Sequence, residues 1–293
     1  MRLTLAITTH ARADALALVL ACVAAQSRPP DELIVAEDGA DPATAGAIAR
    51  HRAACEAVAA RPLPRHIPQP HEGFRVARLR NLAIAAATGD YMVFIDGDML
   101  LHPRFIEDHA GCARAGRWTQ GVRVPLDAGT TRALLATARA GAGDPRAASP
   151  AAPALPGPLA AGRYGLRRAA LWHSPAMQRA LRGAGAGLLA VKSCNQGFWR
   201  SDLLRVNGFD ERFEGWGPED KELCARLGHA GVRRQALLGG GIACHLDHPP
   251  AARDRRAFNE SLLAATLADR TVRCERGVDA HLARRDGAAS GGG

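Results

Sequence analysis

Two carboxylates one residue apart, Asp96-Gly97-Asp98, follow directly on the apolar run Tyr91-Met92-Val93-Phe94-Ile95. A backbone leaving a buried strand there can offer one carboxylate to a divalent cation and the other to a ribose. Hard cations such as Mg²⁺ and Mn²⁺ take oxygen ligands from carboxylates and phosphates. Gly97 removes side-chain bulk where a ligand must approach. A cation held at this point would neutralise charge on a departing diphosphate as a Lewis acid. Three-residue D-x-D patterns are common, so the position after a strand carries most of the weight.

Three further segments carry chemistry. In Gly215-Trp216-Gly217-Pro218-Glu219-Asp220-Lys221-Glu222-Leu223, Pro218 suits the first position of a helix, which puts Glu219 and Asp220 in its first turn. Acidic residues belong at helix starts for dipole reasons alone, but that does not account for a glycine-flanked tryptophan. Trp216 offers a flat apolar platform for a sugar ring, with a carboxylate beside it to take a hydroxyl proton. Cys244-His245-Leu246-Asp247-His248-Pro249 lacks the second ligand pair of a structural zinc site. One of its histidines could instead join a cation held by Asp98. Arg75, Arg78 and Arg80, in the Gly73 to Asn81 segment, supply cations suited to phosphates or form an ordinary basic helix face.

The elements that must position these groups alternate between strand and helix, which predicts an α/β fold with a mostly parallel sheet. The pattern predicts strands at Leu3 to Thr8, Glu32 to Ala36 and Tyr91 to Ile95, and helices at Ala13 to Ala25, Ala43 to Ala60 and Arg75 to Ala87. The strands run into Thr8-Thr9-His10, Glu37-Asp38-Gly39 and Asp96-Gly97-Asp98. Ligands of open α/β sheets bind outside such carboxyl ends.

With 293 residues and 47% hydrophobic content, the chain can bury a sizeable core, although aromatics make up only 4%. A net charge of +9 favours an anionic partner such as nucleotide phosphates, an acidic glycan, a membrane surface or nucleic acid. Scattered arginines and few aromatics argue against a nucleic-acid-binding protein. The seven cysteines form no C-x-x-C pair and read as reduced, which predicts a cytoplasmic protein. The apolar start imitates a signal peptide, but Thr8-Thr9-His10-Ala11-Arg12 and Asp14 interrupt it. No apolar run reaches the ~18 residues needed to span a bilayer.

Taken in order, these segments resemble a bacterial family-2 glycosyltransferase whose C-terminal half is similar to the galactosyltransferase-type module with a Gly-Trp-Gly-x-Glu-Asp motif. The likeness also rests on Leu5 to Thr9, Leu33 to Gly39, Gly73-Phe74-Arg75, Arg80-Asn81, Gly89 to Asp98, Cys194 to Arg200, Val206 to Asp210 and His245 to Pro249. It implies a GT-A nucleotide-diphospho-sugar transferase fold, Rossmann-like, over residues 1–276. Within it, 1–127 would form the nucleotide-sugar-binding half, 128–187 an Ala/Pro-rich insertion with helices, and 188–276 the acceptor half, followed by a disordered tail at 277–293.

The resemblance further implies an inverting transfer of a hexose or N-acetylhexosamine from a UDP-sugar to a glycan or glycolipid acceptor. Thr8, His10, Arg12, Glu37, Asp38, Arg75, Arg80 and Asp96 would serve the donor, and Asp98 and His245 would bind Mn²⁺ or Mg²⁺, with His248 the second choice. Asp220 would be the base and Glu219 would orient the acceptor, which Trp216, Gly217 and Asn195 would contact. Pro218 departs from the pattern of many relatives and would stiffen the loop over the acceptor. A narrower likeness, to lipopolysaccharide and other surface-glycan transferases, implies peripheral contact with an anionic inner membrane. A non-catalytic glycan- or nucleotide-sugar-binding protein of the same fold is the alternative.

Overall fold

The computed structural model describes residues 1–59, 62–140, 173–180 and 191–282. Its first part runs β1 (Leu3–Thr9), α1 (Ala13–Ala24), β2 (Glu32–Asp38), α2 (Pro42–Ala57), β3 (Pro64–Gln69), α3 (Val76–Ala86), β4 (Tyr91–Asp96) and β5 (Met99–Leu101). Next come α4 (Phe105–Cys112), β6 (Arg117–Gln120), β7 (Val122–Pro125), α5 (Ala128–Arg139), α6 (Pro175–Ala180), β8 (Asn195–Trp199) and α7 (Arg200–Arg205). The chain continues through α8 (Glu219–His229), β9 (Arg233–Ala236), β10 (Ile242–His245) and α9 (Arg256–Ala268).

The strands β1, β2 and β4 are buried on both faces, as near-continuous apolar runs in parallel sheets must be. They form the centre of a seven-stranded sheet ordered β3-β2-β1-β4-β8-β6-β9, parallel from β3 through β4. β8 enters antiparallel between β4 and β6. The acceptor half expected from 188 onward therefore shares one sheet with the first half. One apolar cluster covers the sheet face under α1 and α2, and another lies under α3, α7 and α8. A small second sheet, β5-β10-β7, pairs Met99 with His245 and so folds the chain after Asp98 against the segment carrying the distal histidines.

Local chemistry sets the boundaries. Asp41 caps α2 by accepting from the backbone N–H groups of Ala43 and Thr44, and Pro42 occupies the first turn, where its missing N–H costs nothing. Edge strand β3 contains Pro64 and Pro68, a composition that hides a strand from a hydrophobicity reading and that only an edge tolerates. Helix α8 begins at Glu219 with Pro218 as its cap, one position later than the sequence suggested.

The expected disordered tail needs correction at its start. Val278 is fully buried in the second apolar cluster, its N–H donates to Asn207 O, and His281 meets Glu211 at 2.6 Å. Gly277 packs so closely on Asn207 that a side chain there would collide with its backbone. Residues 283–293, like 141–172 and 181–190 of the expected insertion, lie outside the described residues.

Asn81 ties α3 to the following half. Its amide donates to Phe209 O and to the Glu211 carboxylate, each at 2.8 Å, and its oxygen accepts from Phe209 N at 2.8 Å. Asn81→Ala leaves a buried backbone N–H and C=O without partners. It should lower unfolding free energy by about 2–3 kcal/mol, read as a lower urea midpoint at unchanged slope.

Candidate functional site

The carboxyl ends of three neighbouring strands form the base of the site, because the parallel register sets Thr8 beside both Ala36 and Asp96. Thr8 Oγ1 donates to Asp96 Oδ1 at 3.0 Å and fixes that carboxylate. On β2 the two-residue alternation sends Glu37 and Asp38 to opposite faces. Asp38 faces the site, accepting from Gln69 Nε2 at 2.9 Å and pairing with His71 Nδ1 at 3.0 Å. The His10 and His71 rings stack above it with centroids 4.4 Å apart. Glu37 is instead fully buried, with His66 on one oxygen at 2.7 Å and the Asp41 N–H on the other at 3.0 Å. It anchors the β2–α2 loop, and its assignment to the donor is withdrawn.

Arg75 caps α3 on the rim of this region, paired with Glu72 at 2.7 Å and donating to Pro70 O. Arg80, one turn further on, is only 2% exposed. Its guanidinium meets Glu219 at 2.9 Å and Asp96 at 3.3 Å. It links the two halves and stands beside Asp96 on the side expected for the donor. Burial pushes the Glu219 carboxyl up to about 7 despite the opposing pull of Arg80, a cation it shares with Asp96. Asp220 is also raised, by burial first, against the attraction of Arg80. Its oxygens accept the N–H groups of Lys221 at 2.7 Å and Ser193 at 3.0 Å.

The loop before α8 is built from glycine geometry and a single amide. Gly215 takes φ +72°, and its N–H donates to Phe74 O at 2.8 Å, joining this loop to the one before α3. Asn259 on α9 donates to Glu214 O and Trp216 O and packs so tightly that a Cβ on Gly217 would come within 2.5 Å of it. Trp216 is half-buried with the Arg253 guanidinium 4.7 Å from its ring centre. Asn195 does not join this loop. It is fully buried, with its amide donating to Val122 O and Gly241 O and its oxygen on His109 Nε2. It ties β8 to β7 of the second sheet, to the turn before β10 and to α4, so its acceptor role is withdrawn.

Among the described residues, three His/Asp groups bring ligand atoms within 4.8 Å of one another: His10–Asp38–His71, Asp98–His245–His248 and His102–Asp108–His173. Ring orientation separates them, because an imidazole binds a metal in its own plane. His10 stacks on His71 at 17° and His102 on His173 at 7°, so neither pair can aim both in-plane lone pairs at one ion. The His245 and His248 rings are tilted by 53° and can converge. His248 Nδ1 donates to Pro249 O at 2.7 Å, which turns Nε2 toward Asp98 Oδ2 at 3.2 Å. Such a second-shell carbonyl is the usual way a ligand imidazole is oriented. Asp98 Oδ1 is buried without a hydrogen-bond partner, 3.6 Å from His245 Nε2. These donors fit a divalent cation.

Charge follows geometry here. Burial acts to raise the Asp98 carboxyl, but the His248 hydrogen bond and the charges of His245 and Arg12 outweigh it and hold the group low. Burial lowers His245 against the pull of Asp98, favouring the uncharged form in which a histidine ligates. Arg12 Nη1 donates to Asp98 Oδ2 at 2.9 Å, and Arg123 Nη2 lies 3.1 and 3.2 Å from the two His245 nitrogens. Sequence reasoning missed Gln69, His71 and Arg123 and ranked His248 second. Only His248 had a signal, its three-residue spacing from His245.

Residues 4–136 match the profile of glycosyl transferase family 2, and residues 190–249 that of the N-terminal domain of galactosyltransferase. Among curated proteins no sequence matches. S. aureus TarS 1–349 in complex with UDP superposes with a TM-score of 0.56 at 12% identity, covering 85% of this chain and 61% of that one. TarS in another crystal structure gives 0.55 at 13%, covering 91% of this chain and 39% of that one. This chain therefore spans less than two thirds of the TarS chains it matches. Glucosyl-3-phosphoglycerate synthase from Mycobacterium tuberculosis, in complex with Mn²⁺, UDP-glucose and phosphoglyceric acid, reaches only 0.49 at 18%, covering 94% and 81%. The TarS likeness shows a shared GT-A fold.

The raised Glu219 carboxyl has a consequence for stability. A carboxyl held above its ordinary 4.5 in the folded protein binds its proton more tightly there than in the unfolded chain. Stability from this group is thus fullest below 4.5 and falls as pH rises toward 7. Glu219→Gln should flatten the fall by up to about 1 kcal/mol per pH unit, measured by denaturant unfolding across that window.

Proposed function

Starting from a family-2 glycosyltransferase domain of GT-A fold over residues 4–136, we propose that the protein is an inverting transferase using a UDP-sugar. It would move a hexose or N-acetylhexosamine to a hydroxyl of a glycan or glycolipid. The observation that carries the reading is the convergence of Asp98 with His245 and His248, about 150 residues away, on the side of the sheet where Arg80 joins Asp96 to Glu219.

Asp38, held by Gln69 and His71, is the acceptor of hydrogen bonds from the base or ribose, under the stacked rings of His10 and His71. Asp96, fixed by Thr8 and Arg80, takes the ribose hydroxyl side, and Arg75 closes the rim. Asp98, His245 and His248 would hold the cation, which supplies charge neutralisation for the diphosphate. Two imidazoles beside one carboxylate suit Mn²⁺ better than Mg²⁺, which prefers an all-oxygen octahedron.

Asp220 is the base. Burial raises its carboxyl and makes it a stronger proton acceptor than an exposed aspartate. It takes the proton of the acceptor hydroxyl as that oxygen bonds to the anomeric carbon and the bond to the diphosphate breaks. One displacement on the face opposite the leaving group inverts the centre. Glu219, locked by Arg80, orients the acceptor, and Trp216 offers its ring to a sugar face. The +9 charge supports a working place near an anionic inner membrane surface. Among the described residues no helix is long and apolar enough to cross a membrane.

Mn²⁺-dependent hydrolysis of UDP-sugars by the purified protein tests the donor site. Asp98→Asn should lose about 100-fold or more in this activity, as first-shell changes do, and equal rates in both proteins would remove the metal site. Asp220→Asn should keep UDP-sugar affinity within twofold while transfer to acceptor falls by about 100-fold or more. Undiminished transfer would assign the base elsewhere.

A further inference from the structure

Resting on the reading of Asp98, His245 and His248 as cation ligands, we propose that Arg12 and Arg123 are built-in competitors of that cation. On this proposal they release the site when a nucleotide diphosphate arrives, so that metal and nucleotide bind together rather than separately.

The contacts define the competition. Arg12 Nη1 donates to Asp98 Oδ2 at 2.9 Å, and His248 Nε2 meets the same oxygen at 3.2 Å. Arg123 Nη2 sits 3.1 and 3.2 Å from the His245 nitrogens. Arg12 occupies one oxygen of the Asp98 carboxylate, and Arg123 Nη2, nearly equidistant from both His245 nitrogens, lies over that ring, so the two arginines and the ion compete for the same small space by charge. Charge sharpens the conflict: Asp98 is the one carboxylate of the cluster, and two guanidiniums already balance more than its charge. A divalent ion added beside them meets net repulsion in a largely buried site, where water screens little.

A diphosphate removes that conflict. It brings several negative charges and the planar array of oxygens that a guanidinium recognises through paired N–H donors. Both arginines have reason to move to it. Arg12 is the cap residue of α1, directly after Ala11, which holds φ +47° without being glycine, and its side chain is 28% exposed. Arg123 has its Nε buried without any acceptor, a donor that the protein itself leaves unsatisfied. The buried Oδ1 of Asp98 has no hydrogen-bond partner either, so each side of the exchange holds one group lacking what the ligands supply.

The consequence is positive coupling, which thermodynamics makes reciprocal: UDP tightens Mn²⁺ by the same factor that Mn²⁺ tightens UDP. The part of that factor due to the arginines disappears when they lose their charge. Mn²⁺ binding is followed by the electron paramagnetic resonance signal of the free ion, with and without saturating UDP. The proteins compared are wild type, Arg12→Gln, Arg12→Lys, Arg123→Gln and Asp98→Asn.

Arg12→Gln and Arg123→Gln should each bind Mn²⁺ about five- to tenfold more tightly than wild type without UDP, and the gain from adding UDP should shrink by a similar factor. Arg12→Lys keeps the charge and should remain close to wild type. Mn²⁺ affinity without UDP that is unchanged in both glutamine variants, while Asp98→Asn still abolishes binding, overturns the competition and leaves the metal site standing. Binding by Asp98→Asn equal to wild type in the presence of UDP removes the metal site itself.

Discussion

The buried guanidinium of Arg80 is the constraint from which the rest of the site follows. A fixed positive charge under the sheet's carboxyl edge must be matched, and its partners come from opposite ends of the chain: Asp96 at the end of β4 and Glu219 at the start of α8. The guanidinium also lies 5.2 Å from the centre of the Phe209 ring, a residue that Asn81 holds in place through both backbone groups. Removing Asp96 would leave a buried charge uncompensated, which is far more costly than losing a surface pair, while Glu219 holds the guanidinium through its hydrogen bond. The helix bearing Glu219 and Asp220 therefore cannot drift from the strand bearing Asp96. Arginine suits this task because it cannot shed its proton when buried, as a lysine would.

A second constraint completes the geometry. Antiparallel pairing of β5 with β10 matches Met99 to His245, and Leu246 N donates to Asp98 O at 3.0 Å. Two backbone ladders, one in each sheet, thus set the carboxylates and imidazoles, and the side chains need only short reach. This arrangement also separates the cation candidate from its look-alikes. Asp108 accepts from Gln178, Gly241 and His173 and so fastens α6 to the chain before β10. Composition is the same in all three His/Asp groups, and only the tilt of the rings tells a ligand set from a clasp.

What could be read from sequence follows from how local each signal is. β1, β2 and β4 are apolar runs ending in polar residues, and each appears within two residues of its expected end. Strand β3 was illegible because its prolines and histidine mimic a loop, and its pairing with β2 is a tertiary fact. The site misassignments share one cause. Glu37 adjoins Asp38, and Asn195 stands in a run of polar residues, but which face of a strand a side chain occupies depends on the sheet. Arg123 and His71 belong to no recognisable motif, and only folding brings them to His245 and Asp38. The packing of Val278 was missed for the same reason: a lone valine near a polar terminus carries no periodicity.

Part of the net charge of +9 is carried by arginines that serve the interior. Among the described residues two arginines, Arg80 and Arg226, are buried. Arg226 is fully buried, with its guanidinium on Glu222, Val206 O and Gly208 O, while Thr266 Oγ1 donates to the same glutamate. Aromatic side chains such as Tyr91, Phe94, Phe105, Phe198 and Phe209 are buried in the core, and the guanidiniums of Arg80 and Arg226 are buried with them, that of Arg226 tying down carbonyls of the loop that Gly208 bends. Each guanidinium needs a carboxylate close by, so the interior accumulates ion pairs that would be wasteful in an ordinary apolar core. In a site of the proposed kind, which would accept a cation and a polyanion together, exchangeable pairs have a use that greasy packing cannot supply. Arg226 and Arg80 are locked for structure, whereas Arg12 and Arg123, each with an exposed or unsatisfied portion, remain free to change partners.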